Sequence, residues 1–301
     1  MSLIVTGTVG IDTVHAPTGS RKDVLGGSCT YFAAAASFFT PVRIVAAVGV
    51  DFPEEHFQVF KHFSGIDTTG LEVRPGSSTF RWGGRYLENM NERETLYTEL
   101  GVVAEDPPKV PDEYRASDYV FLANSHPSVQ MDLLSQIPER KLAIADTMDL
   151  WINSARQELG MLMEEVDGLI LNDSEALMLT GERNLRQAAD RIRGMGPGIV
   201  IIKKGEHGVM MVHDNGIAVL PAYPTASVVD PTGAGDSFAG GMMGSIAAEN
   251  DHSFAALQRA LGRGTVIASY NVESFTLERL QSLTAKDVVE RLEEFRRICR
   301  F

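Results

Sequence analysis

The run Val228-Val229-Asp230-Pro231-Thr232-Gly233-Ala234-Gly235-Asp236-Ser237-Phe238-Ala239-Gly240-Gly241 sets small residues and a carboxylate where an apolar strand end gives way to a helix. Such small side chains leave the amides of Gly233, Ala234 and Gly235 able to point at one spot. Free amides at a helix N-terminus bind phosphate through hydrogen bonds and the helix dipole. The chemistry expected here is phosphate binding. No GxxxxGK[ST] loop occurs in the chain, which argues against a P-loop nucleoside triphosphatase. Asp236 would oppose a bound anion with its own charge. It therefore reads better as the group that takes a proton from an attacking hydroxyl, the alternative being a carboxylate that merely caps the helix.

Other residues have spacings that allow chemistry. Asn172 and Glu175 lie three apart at a strand-to-helix junction, which places an amide and a carboxylate on one helical face; a simple capping pair has the same spacing. Gly205 and Gly208, in Lys203-Lys204-Gly205-Glu206-His207-Gly208, read as a tight turn between apolar strands. Asp12 follows the first strand, and Gly26-Gly27 opens a helix. Gly7-Thr8-Val9-Gly10 has GxxG rather than GxGxxG spacing, a weak pointer to a dinucleotide-binding dehydrogenase. The seven His residues show neither HExxH nor paired spacing, so a protein-held transition metal is not expected. Cys29 has no recognisable His partner and reads as packing rather than as a nucleophile.

In chain order, Asp12, Gly26-Gly27, Asn172-Asp173-Ser174-Glu175, the Lys203–Gly208 turn, Asp230–Asp236 and the small-residue helix ending in Gly264–Asn271 resemble the ribokinase family, the PfkB carbohydrate kinases. These kinases phosphorylate hydroxymethyl groups of sugars and nucleosides with ATP. The resemblance spans nearly the whole chain. It implies that Asp236 is the catalytic base and that Gly233, Ala234 and Gly235 form the anion hole. It also implies ATP and Mg²⁺ as cofactors, with Mg²⁺ held near Glu175 largely through water, and leaves a monovalent cation open. Nucleotide contacts are implied for Asn172, Glu175, Thr232, Lys203 or Lys204, Gly205, Gly208 and Asn271. Contacts to acceptor hydroxyls are implied for Asp12, Gly26 and Gly27. Tyr31 stands where the family commonly has Asn, a departure that argues against ribokinase-like specificity for free ribose. The acceptor expected is a sugar or sugar-like molecule, the alternatives being an adenosine-like nucleoside or a non-catalytic binding relative. Asp236 beside an intact GAGD loop favours the enzyme.

These residues need a scaffold. Short apolar runs at Leu3–Thr6, Arg43–Val48, Tyr119–Ala123, Leu142–Ala145, Gly168–Leu171 and Ile199–Lys203 alternate with helical periodicity at Ser28–Phe39, Glu54–Phe63, Val129–Gln136, Ser174–Leu179 and Leu185–Arg193. That alternation predicts a doubly wound α/β fold with a mostly parallel sheet between helices. We read 1–301 as a single ribokinase-like domain. Ser77–Glu88 and Arg93–Leu100, mixed polar and aromatic about a turn at Asn89–Glu92, read as an exposed hairpin. Paired with Ile11–Asp23 it would form a small β lid, over the sheet or against a second subunit as a homodimer. Arg81, Trp82 and Arg85 on it are candidates for acceptor contact. The helix expected over Ala285–Phe301 gathers Val288, Val289, Leu292, Phe295 and Ile298 on one face. A net charge of −13 from 27 basic and 40 acidic residues disfavours nucleic acid and anionic membranes as partners. Two distant cysteines and no export or spanning segment fit a cytoplasmic protein.

Overall fold

The computed structural model describes residues 2–300. Its strands are β1 (Leu3–Thr6), β2 (Gly10–Ala16), β3 (Gly19–Gly26), β4 (Val42–Gly49), β5 (Ile66–Arg74), β6 (Phe80–Tyr86), β7 (Arg93–Glu99), β8 (Tyr119–Leu122), β9 (Leu142–Asp146), β10 (Gly168–Asn172), β11 (Ile199–Lys203), β12 (Val209–His213) and β13 (Gly216–Leu220). Its α-helices are α1 (Ser28–Ala36), α2 (Glu54–His62), α3 (Pro127–Ser135), α4 (Asp149–Ser154), α5 (Arg156–Glu165), α6 (Asp173–Thr180), α7 (Leu185–Arg193), α8 (Ala234–Glu249), α9 (Phe254–Asn271), α10 (Glu278–Gln281) and α11 (Ala285–Ile298).

Nine strands form one sheet in the order β13-β12-β11-β10-β9-β8-β1-β4-β5. Neighbours from β11 to β5 run parallel, while β12 and β13 return antiparallel at one edge. The central strands are apolar nearly to their C-terminal ends because both faces are covered. Pleating sends Leu3, Val5, Phe121 and Ile144 into the core beneath α1, α8 and α9. Ile4, Val120, Leu122 and Ala145 enter the opposite core with α3, α5, α6 and α7. On the first side the helices approach closely through glycines. A Cβ on Gly240 would strike the Phe32 carbonyl of α1, one on Gly244 would crowd Ala36, and Gly241 faces Gly264 of α9.

A second sheet, ordered β3-β2-β6-β7, is built from the segments around 11–23 and 77–100 that were expected to pair as a small lid. It reaches the main body through Thr18 Oγ1, which donates to the Val229 carbonyl at 2.6 Å, and through an Arg21–Glu278 ion pair at 2.9 Å. The C-terminal helix ends at Ile298, and Phe301 lies outside the described residues. Its apolar face is only partly covered: Val288 and Phe295 are buried, whereas Val289 and Ile298 are exposed. No described helix is long and apolar enough to cross a membrane.

Candidate active site

The C-terminal ends of the parallel strands converge on the start of α8. Gly233 is its N-cap, with φ 74°, and a Cβ there would fall inside the ring of Tyr31. Asp236 occupies the third helical position, where its carboxyl meets its own backbone N–H in the first turn. The amides of Gly233 and Gly235 have no hydrogen-bond partner among the described residues, but Ala234 N–H donates to Pro231 O at 3.1 Å. The cradle foreseen with three amides thus has two free ones, because the turn that places the helix consumes the middle one. Lys203 Nζ completes it, lying 3.0 Å from where a Gly235 Cβ would be. Of the two adjacent lysines, Lys203 is therefore the one that faces the loop.

Burial, reinforced by Asp146, pushes the Asp236 carboxyl up to about 7 against the pull of Lys203 and Arg93. Asp146, at the end of β9, is 3.5 Å from Lys203 Nζ. Burial alone would lower the lysine, yet Asp146, Glu175 and Asp236 outweigh it and hold the ammonium charged. Asn172 and Glu175 form a reciprocal capping box on α6: Glu175 N–H donates to Asn172 Oδ1 at 2.8 Å and Asn172 N–H to Glu175 Oε2 at 2.7 Å. Capping and site position coincide here, since burial pushes Glu175 up to about 7 while Lys203 opposes the rise.

A cavity of about 520 Å³ opens beside this cluster. Lys203, Gly205, Gly208, Ala234 and Gly235 line it, as do Thr265, Ala268 and Ser269 of α9 and Asn89, Met90 and Asn91 of the lid turn. Two expected nucleotide contacts sit behind its wall. Asn271, fully buried, donates to the Thr232 carbonyl at 2.8 Å and accepts from Ser237 Oγ at 3.1 Å, so it braces the loop. Thr232 turns its hydroxyl to Tyr86 at 3.3 Å.

On the lid side, Asp12 lies against Gly26, where any Cβ would fall inside its carboxylate. Gly27 takes φ 97° and packs on the Thr8 carbonyl. Burial, with Asp230 and Asp236 adding to it, pushes Asp12 up to about 7. Asp12 Oδ1 and Tyr31 Oη are buried without a hydrogen-bond partner among the described residues. Unsatisfied buried polar atoms are costly, and such pairs occur where a ligand supplies the missing partner. Trp82 pairs with Asp12 across β2 and β6 and shares its face. Arg81 points to the other face, bridging Asp23 at 3.0 Å and Asp51 at 3.2 Å, and Arg85 lies on that same outer face beside Glu94. These arginines do not join the cluster, because the pleat alternates.

The Gly7–Gly10 turn offers no second cradle: Ser28 and Cys29 N–H at the start of α1 already donate to Thr8. Cys29 is buried, and burial pushes its thiol up, which leaves it inert. Asp146, Tyr86 and Arg93 were not singled out from sequence. The one available signal was a carboxylate ending an apolar strand at Asp146.

A model of the pfkB family carbohydrate kinases matches residues 7–279. The chain is 32% identical over 251 residues to a cytidine kinase of Thermococcus kodakarensis, covering 81% of this chain and 87% of that one. Among solved structures, a Burkholderia thailandensis nucleoside kinase in complex with inosine aligns with a TM-score of 0.79 at 18% identity, over 97% of each chain. A protein described as ribokinase II of E. coli, solved with ATP and Mg²⁺, aligns with a TM-score of 0.78 at 17% identity over 99% of each. At these identities the structural likenesses show the fold, which is that of ribokinase.

Proposed function

The chain belongs to the pfkB family of carbohydrate kinases and is a phosphotransferase with an alcohol group as acceptor, and on that premise we propose that it phosphorylates the hydroxymethyl group of a nucleoside with ATP in the cytoplasm. The cytidine kinase relative favours a nucleoside over the free sugar expected first from sequence.

The observation that carries the mechanism is Asp236, a buried carboxyl pushed up to about 7 beside the free amides of Gly233 and Gly235. The acceptor hydroxyl oxygen attacks the γ-phosphorus in line, and its proton passes to Asp236. The bond from γ-phosphorus to the β–γ bridging oxygen breaks, and ADP leaves with that electron pair. Gly233 and Gly235 amides and Lys203 hold the negative oxygens, while Gly205, Gly208 and the Thr265–Ser269 wall enclose the rest of the nucleotide. Asp12 Oδ1 and Tyr31 Oη, both buried without a partner among the described residues, take the acceptor's hydroxyls. Asn172 and Glu175 fit a hydrated Mg²⁺: one Glu175 oxygen is committed to the capping box and the other has no partner among the described residues. Bound there with the nucleotide, the ion would neutralise phosphate charge. We further propose that the lid's outer edge pairs two copies of the chain.

The test is ATP turnover over a panel of cytidine, other nucleosides and free sugars, for wild type and Asp236→Asn. Turnover with a nucleoside and a fall in kcat of about 10²-fold or more in the variant, with nucleotide binding kept, is the expected result. A folded variant working at near wild-type rate would overturn Asp236 as base. Turnover confined to free sugars would return the acceptor to the sugar class.

A further inference from the structure

Tyr223, Thr225, Thr265 and Ser269 bring hydroxyls to the wall of the cavity, and each gives its proton to an acceptor within the protein. Thr265 Oγ1 donates to the Leu261 carbonyl at 2.9 Å and Ser269 Oγ to the Val266 carbonyl at 2.7 Å, the back-bonding usual for these residues in a helix. Thr225 differs. It stands in the segment after β13 and donates to Glu273 Oε1 at 3.1 Å, 48 residues away. A hydroxyl has one proton and two lone pairs. With the proton committed, Thr225 has only lone pairs to offer a ligand.

A charged clamp holds that proton in place. Glu273, just past the end of α9, receives Arg291 Nη1 on Oε1 at 2.8 Å and Arg279 Nε on Oε2 at 3.2 Å, so its carboxylate only accepts. Arg291, from α11, also donates to Ser269 Oγ at 3.1 Å. Its guanidinium lies 3.4 Å from the centroid of the Tyr270 ring and 4.7 Å from that of Tyr223. Two rings and an ion pair fix this side chain far better than an exposed salt bridge would. One arginine of the C-terminal helix thus sets the positions of Tyr223 and Ser269 directly, and of Thr225 through Glu273.

We infer that Thr225 is a specificity-determining residue for the base of the phosphate-donating nucleotide, and that Glu273 and Arg291 are its positioning residues. This rests on the kinase reading above. Lys203 and Gly235 mark the phosphate end of the cavity, which leaves the remaining wall, Thr225 included, to the base. A fixed lone pair attracts an exocyclic amino group and repels a carbonyl oxygen in the same place. The wall therefore favours a 6-aminopurine over a 6-oxopurine, and the clamp prevents Thr225 from turning its proton round to accommodate the wrong base.

Calorimetric binding of Mg·ADP and Mg·IDP to the full chain tests this without an acceptor, since the two nucleotides differ only along that edge of the base. We expect wild type to favour ADP by about tenfold or more. Glu273→Gln sets an amide beside Thr225 that can donate to it and release the hydroxyl proton toward the cavity, so the preference should fall to within about threefold. Thr225→Val, which keeps the shape and removes the lone pairs, should reach the same ratio and gives the comparison if the Gln variant is unstable. A residue of purely structural effect would weaken both nucleotides alike and leave their ratio at the wild-type value. Wild type that binds the two equally, or variants that keep the wild-type ratio, would overturn the assignment and leave the kinase reading standing. Wild type that binds neither would remove the kinase reading and the role of Thr225 with it.

Discussion

A carboxyl held near pH 7 stores free energy that depends on whether the proton is there. The folded chain favours protonated Asp236, so this group's stability contribution is complete below the unfolded value near 4 and is lost as pH rises through about 7. Asp12 and Glu175, pushed up in the same way, act in the same direction. Ligand-free wild type should therefore melt at lower temperature at pH 8 than at pH 5. Asp236→Asn, which cannot ionise, should melt higher than wild type at pH 8, with the gap shrinking toward pH 5. A gap equal at both pH values in thermal melts would show that the carboxyl is not under this strain. Asp236 was legible in the sequence because helix start, small residues and carboxylate are contiguous. Asp146 was not, since it reaches the site from a strand end whose neighbours only the sheet order decides.

At the scale of elements, the buried parallel strands announced themselves as apolar runs, and the Gly205–Gly208 turn announced β12, whereas β5 and β13 gave no such signal. Edge strands such as β5 and β13 are covered on one side only and mix polar with apolar residues, so no continuous run marks them. In the lid the two strands and turn were legible, but which arginine faces inward was not. Pleat parity puts Arg81 and Arg85 outside and Arg93 inside, and the irregularity between Gly83 and Gly84 shifts the register between them. The same strand bears on assembly. β7 is an edge strand that leaves Leu96 and Tyr97 at 42% and 39% exposure, and Leu100, which follows it, at 51%. Open edges with apolar side chains pair with other chains, and we expect a dimer by sedimentation that Leu96→Lys combined with Leu100→Lys converts to monomer. A wild-type monomer at micromolar concentration would exclude the lid as an interface.

Across the whole molecule, the proposed acceptor pocket and phosphate cradle begin at the heads of two helices, Gly27 before α1 and Gly233 before α8. Those helices are locked together further along, where Gly240 and Gly244 admit α1 so closely that no side chain could intervene. Close-packed interiors do not stretch to accommodate a ligand. Whatever movement the lid makes, the span from Asp12 to Asp236 is set by this helix pair and stays fixed. The protein therefore acts as a gauge of arm length. An acceptor analogue with one extra methylene before its terminal hydroxyl should seat its ring normally, carry its oxygen past Asp236, and act as a competitive inhibitor of the true acceptor in steady-state kinetics. Phosphorylation of that longer analogue at the parent's rate would mean that the helix pair yields.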